Sequence, residues 1–377
     1  MNEEYIIETE GLSHRYKGVK RRSLDDVNIK IGRNTKTAIL GANGAGKSTL
    51  FYHFNGVFKP EKGTVMYNGG KIDYSKRGLS DLRSDMVVVL QNPDDQIFSA
   101  TVEEDIAFGP MNLGLPKEEV EKRVEEALFQ VGMSEYRGTP VSRLSFGQRK
   151  RVAFAGALAM NPKVLILDEP TAGLDPQMSI ELMEMTEQLH CTGTTVIIST
   201  HDVDLAYAWA DDIHVLRHGK LIYSGDQEGF YSDRVNVYLS GLVPPYVFEI
   251  NDCLENMNGK SKHPHPRTAS QLLGKISGRR GAGTMHLLSV GSPEDILRAK
   301  DIDENIHRGI YGTETRKAAY SNGLKAEYVF NALENCIMEC VNGADVCLCF
   351  DHTLTDKVMS AVNRMSDFGI EIKTVGV

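Results

Sequence analysis

Gly41-Ala42-Asn43-Gly44-Ala45-Gly46-Lys47-Ser48-Thr49 is a complete phosphate-binding loop, and its flanks decide how the chain folds around it. Thr37-Ala38-Ile39-Leu40, just before it, is a short apolar strand, and Leu50, Phe51 and Phe54, just after it, line a helix. Gly41, Gly44 and Gly46 let the chain turn where a side chain would block it. The freed N–H groups then face an anion at a helix N-terminus. In this spacing Lys47 reaches the β- and γ-phosphates and the Ser48 hydroxyl can ligate Mg²⁺.

Three further strand ends carry polar residues. Val164-Leu165-Ile166-Leu167 is an uncharged run that suits a strand buried on both faces, and it ends in Asp168 and Glu169. A carboxylate at such a tip, beside a phosphate loop, holds Mg²⁺ through water, which assigns Asp168 to the metal. Glu169 is then the candidate general base for the attacking water. His201 follows Val196-Ile197-Ile198-Ser199-Thr200, placed to hydrogen-bond the γ-phosphate and the water. Gln91 follows Met86-Val87-Val88-Val89-Leu90, placed to sense both the metal ion and the water.

With Leu144-Ser145-Phe146-Gly147-Gln148 and Leu174-Asp175, these residues make the chain resemble the nucleotide-binding subunits of ABC transporters. The resemblance spans roughly residues 4–240. It implies that residues 41–49 are the Walker A loop and 164–169 the Walker B strand, with ATP and Mg²⁺ as ligands. It makes Leu144–Gln148 the signature motif, Asp175 part of the D-loop, and Gln91 and His201 the switch residues. Tyr16 matches the aromatic that stacks on adenine. Phe146 departs from the commonest signature, which has glycine there. Ser145, Gly147 and Gln148 open a second anion-binding helix end, which in this family closes on the ATP of another subunit. The chain has one loop and one signature, so the resemblance implies a head-to-tail pair, with itself or a paralogue.

Gln91-Asn92-Pro93-Asp94-Asp95-Gln96-Ile97-Phe98 and Thr101–Pro110 are similar to the ATPases of energy-coupling factor transporters, the cobalt-uptake type above all. That narrower resemblance implies two membrane partners, a transmembrane coupling protein and a substrate-binding membrane protein. Acidic residues beside Ile97 and Phe98, both expected to be exposed, suit a basic helix with an apolar face. Thr101 and Glu104 also form a helix-start capping box. Nickel or a vitamin is the alternative cargo. A soluble ABC ATPase of DNA repair or translation is the alternative class. Against it, only 94 residues separate Thr49 from Leu144, too few for a long coiled-coil arm, and there is one cassette.

The composition agrees with a globular, membrane-peripheral ATPase on the cytoplasmic face. A net charge of −9 argues against a nucleic-acid partner. No apolar run reaches the roughly 18–20 residues of a membrane span, and the acidic Met1–Glu4 lacks a signal-peptide pattern. The expected fold is a doubly wound α/β P-loop ATPase domain over 1–245, with a helical subdomain near 92–160. Val120, Val124, Ala127, Leu128 and Val131 give the helical period there, over Pro116–Val131.

Residues 246–283 read as a linker. Asn258–Gly283 holds Lys260, Lys262, Arg267, Lys275, Arg279 and Arg280 with no acid, plus His263-Pro264-His265-Pro266. Residues 284–377 read as a small α/β domain of regulatory or assembly role. Met285–Val290, Val346–Phe350 and Ile370–Val375 are its strands; Glu327–Val341 and Asp356–Met365 are helices, with another starting at Ser292. Its Cys336, Cys340, Cys347 and Cys349 pose a choice between buried thiols and a four-thiolate metal site.

Overall fold

The computed structural model describes residues 4–259, 261, 263–277 and 282–376. Lys260, Lys262, Arg279, Arg280 and Met1–Glu3 therefore lie outside the described residues. The chain divides into two units, Met1–Leu182 with Gly193–Pro244, and Met183–Thr192 with Pro245–Val377.

The first unit holds two sheets. In one, Tyr5–His14 pairs antiparallel with Leu24–Val27, Lys30–Gly32 and Lys62–Tyr67. The other has six strands in the order Lys220–Gly225, Asp212–Arg217, Lys36–Leu40, Thr195–Thr200, Val164–Asp168 and Met86–Val89. Only its first pair is antiparallel. All residues of Lys36–Leu40, Val164–Asp168 and Thr195–Thr200 are buried, as central parallel strands covered on both faces require. Ile39, Val164, Ile166 and Ile197 pack with Leu50, Phe51 and Phe54 of the helix Lys47–Phe54 in one core. Helices Val102–Asn112, Lys117–Gln130 and Phe146–Ala159, which lie in sequence between the strands Met86–Val89 and Val164–Asp168, pack on one another. Thr101 and Glu104 form the capping box that their spacing implies.

The second unit corrects the reading of 246–283 as a linker. Tyr246–Asn258 and Ala269–Ser277 are helices. Ser270 anchors the second by donating from its N–H and hydroxyl to Glu334, at 2.8 and 2.9 Å. Beyond them lies a four-stranded parallel sheet in the order His307–Tyr311, Val346–Asp351, Thr284–Val290 and Lys373–Gly376. The helix expected from Glu327 begins at Ala332, after a left-handed Asn331, because Tyr328 instead bridges to Gly309 at the sheet edge. The helix expected near Ser292 is a 3-10 turn over Asp295–Asp301. The four-thiolate grouping also fails. Cys336 and Cys340 pack with Val346, Leu348 and Phe350, whereas Cys347 and Cys349 pack with Leu288, Val290 and Ile310 on the other face. Cys347 and Cys349, two residues apart on one strand, share a face, and the helix carrying Cys336 and Cys340 packs against the other.

Candidate active site

The strand order brings the motifs together. Lys36–Leu40, Thr195–Thr200, Val164–Asp168 and Met86–Val89 are consecutive parallel neighbours, so their carboxyl ends lie on one edge. From that edge emerge the glycine loop, His201, Asp168 with Glu169, and Gln91, in that spatial order.

The loop's glycines are sterically required. At Gly41 (φ 147°) a Cβ would lie 2.3 Å from the Leu216 carbonyl oxygen, and at Gly46 (φ 110°) 2.6 Å from that of Ser23. Lys47 is buried, donates to the Gly41 carbonyl at 2.7 Å and faces Glu169 Oε1 at 3.1 Å without hydrogen-bond alignment. The other Glu169 oxygen, Oε2, lies 3.0 Å from His201 Nδ1. A buried carboxylate thus stands between a lysine ammonium and a largely exposed imidazole. Such a group can take a proton from water and pass it towards solvent through the histidine.

Glu169 adopts φ 47°, a left-handed backbone that costs a non-glycine residue roughly 1–2 kcal/mol. Its N–H is held by the Ser199 hydroxyl at 2.9 Å, and that hydroxyl donates in turn to Asp168 Oδ1. Ser199 stands opposite Asp168 in the strand register. Sequence reading passed over Ser199; the available signal was a hydroxyl inside an apolar strand one position from the carboxyl tip.

Tyr16 is partly exposed, and its hydroxyl pairs with Thr49 Oγ1 at 3.1 Å. Its ring meets His14 and Phe58 edge-on, at 5.1 and 5.7 Å. His53 closes this wall 4.8 Å from His14, and burial followed by the His14 charge lowers its imidazole to about 4. Neutral rings therefore back the Tyr16 face at neutral pH. Arg15, Lys17, Lys20 and Glu61 line the depression beside it.

Ser145 caps the helix Phe146–Ala159 in a reciprocal box with Gln148, 3.3 Å from its N–H and 2.9 Å to its side-chain oxygen. Phe146 finds its space against Gly173, where a Cβ would meet the ring at 2.7 Å. Asp175 caps the helix Pro176–Cys191 by accepting from the Met178 N–H at 2.8 Å. Ser145, Gln148 and Asp175 thus all carry helix-capping bonds in this chain. Gln91 is exposed past its strand. Ile97, expected to be exposed, is half-buried, while Phe98 is 65% exposed and meets Phe108 edge-on at 4.5 Å. Asp94 is engaged as well, in a 2.6 Å ion pair with Arg149 of the signature helix.

A family profile described as ABC transporter matches residues 24–172. The energy-coupling factor transporter ATP-binding protein EcfA of Methanocaldococcus jannaschii is 48% identical over 260 residues, 69% of this chain and 92% of that protein. The chain belongs to the energy-coupling factor ABC transporter ATPases. EcfA2 of Methanospirillum hungatei, another of these ATPases, is 37% identical over 353 residues, 90% of this chain and 88% of the relative. That span runs well beyond the cassette into the second unit. Among solved structures, cbiO1 of Clostridium perfringens, part of the ABC transporter complex cbiONQ, is 40% identical with a TM-score of 0.57. It covers 69% of this chain and 98% of its own. A dimeric ATP-binding cassette, MJ0796, in a post-hydrolysis state with ADP and phosphate, is 27% identical with a TM-score of 0.55, covering 59% and 98%. The chain is an ATP-hydrolysing enzyme of the P-loop fold. Among the described residues, no helix is long and apolar enough to cross a membrane.

Proposed function

We propose that this chain is the cytoplasmic, membrane-peripheral motor of an importer, most specifically for cobalt ions, acting as a pair of ATPase subunits on two membrane proteins. The observation that carries the motor reading is the shared edge on which Lys47, Glu169 and His201 meet. The cobalt reading rests on the resemblance of residues 91–110 to the cobalt-uptake type.

In this reading Gly41–Thr49 cradle the phosphates, and Lys47 exchanges Glu169 for the γ-phosphate. Glu169 accepts the proton of the attacking water while His201 contacts the same water. Tyr16 stacks on the adenine. Ser145, Gly147, Gln148 and Asp175 complete the ATP site of the partner subunit. Ser48, Gln91 and Asp168 offer only hard oxygen donors, the set Mg²⁺ prefers. Asp168 is oriented for this by Ser199 and buried beside the loop. Bound there, Mg²⁺ supplies charge neutralisation at the phosphates.

Phe98, Phe108 and Met111 form the candidate docking patch, 65%, 47% and 64% exposed, with Asp95 exposed nearby. Its apolar centre and acidic margin suit a basic, amphipathic membrane-protein helix. Because Asp94 holds Arg149, reversing its charge would disturb the signature helix; Asp95 is the cleaner probe. Phe98→Asp with Asp95→Lys is expected to lower co-purification of the membrane proteins about 10-fold, with the soluble ATPase rate within about twofold. Undiminished recovery removes the docking assignment. In sealed vesicles the assembled complex is expected to take up Co²⁺ when ATP is supplied. ATP-driven uptake of a vitamin and not of a metal overturns the cobalt reading alone.

A further inference from the structure

One group in the cassette is buried, charged and unused by the mechanism above. Lys150 is 1% exposed, yet it carries an ammonium. Its Nζ donates to the carbonyl oxygens of Glu169 and Ala172, both at 2.9 Å. Burying an ammonium costs several kcal/mol unless partners compensate, so a core lysine calls for a reason. Burial lowers this one to about 8, and the Glu169 and Asp168 charges oppose that shift.

The position of the residue supplies the reason. Lys150 lies on the helix Phe146–Ala159, one turn after the Ser145 cap. The carbonyl it grips belongs to the left-handed peptide of Glu169. Ser199 holds the N–H of the same residue, and Lys47 and His201 flank its carboxylate. The Ala172 N–H donates to the same Glu169 carbonyl at 3.2 Å. Lys150 therefore adds a second restraint on the peptide of the candidate base, and supplies it from the signature helix. That helix start is aimed at a different ATP molecule from the one Glu169 serves.

We propose that Lys150 is a positioning residue that ties the signature helix to the Glu169 peptide, so that engagement of Ser145 by the partner's ATP sets the base in this chain's own site. The inference rests on the paired-ATPase reading above. Its consequence is cooperativity: closure at one site is felt by the base at the other. The lysine side chain is long enough for its ammonium to reach two carbonyls, and methionine, one atom shorter and similar in volume, donates nothing.

The test uses the full chain, with steady-state hydrolysis measured against ATP concentration. Lys150→Met is expected to lower kcat about 10- to 100-fold, the scale of an ångström-level misplacement, with KM within about threefold. Its Hill coefficient is expected to fall to 1. Lys150→Gln keeps a donor and is expected to recover kcat to within several-fold of the parent. Retained kcat and cooperativity in the folded Met variant overturn the inference. If the Met variant does not fold, the Gln variant decides: a Hill coefficient equal to the parent's at lowered kcat overturns it, and a lowered coefficient supports it. A parent chain that neither pairs with ATP nor shows cooperativity sinks the paired-ATPase reading instead, so the two failures are distinct.

Discussion

In Glu169→Gln, ATP turnover is expected to fall by about 10²- to 10⁴-fold while ATP still binds, the range that a general base contributes. The amide keeps the shape of the carboxylate but takes no proton. A second effect follows from the pairing at 3.1 Å. Without nucleotide, the buried Lys47 has Glu169 as its counter-charge, and the glutamine leaves that ammonium unneutralised. An uncompensated buried charge is costly, so the variant gains more than its parent when a phosphate arrives. The variant is therefore expected to bind ATP more tightly and to accumulate as a closed pair. Phosphate release gives the first quantity and titration with a fluorescent ATP analogue the second. Turnover within a few-fold of the parent would falsify the assignment of the base.

The closed pair is the background for the second large effect. Adding Ser145→Arg to Glu169→Gln is expected to weaken ATP-driven association by about 100-fold or more, because a long side chain is forced between the helix start and the partner's phosphates, where only a hydroxyl fits. Nucleotide binding by each single chain is expected to persist, since residues 41–49 are untouched. The structure adds a control. Ser145 also caps its helix, and losing the cap costs about 1 kcal/mol. Ser145→Ala loses the cap without adding the bulk, so it is expected to keep most of the association. Light scattering with and without ATP reads all three variants. Equal association for the arginine and alanine variants would contradict the head-to-tail arrangement.

The legible parts of this chain are those where local pattern and backbone geometry coincide. The apolar runs ending at Leu40, Asp168 and Thr200 are strands because nothing else buries such runs on both faces. The loop between Leu40 and Lys47 could be read because only glycine tolerates the clashes at 41 and 46. Ser199 and Lys150 escaped notice for the opposite reason. Each acts across a strand register or between a helix and a loop, with no spacing in sequence to betray it. Ala269–Ser277 looked like linker because its neighbourhood is basic and rich in glycine and proline. Its helix is fixed by tertiary partners, Glu334 at its start and the Leu273 side chain in the core. Glu327–Phe330 had a helical apolar period, but edge pairing at Tyr328 outweighed it.

The distribution of sulfur has a practical consequence. Five of the six cysteines lie beyond residue 245; the sixth, Cys191, ends the helix Pro176–Cys191. Cys191 and Cys253 are exposed, and the other four are buried. A maleimide reagent therefore meets two thiols on the native chain and gains four more only when the parallel sheet of the second unit opens. The four late-reacting thiols all sit in the cores around that sheet, so the slow part of alkylation carries no signal from residues 41–49, 145–148 or 168–169. The chain thus carries its own gauge, in which the pace of alkylation follows opening of one half while ATP turnover follows the other.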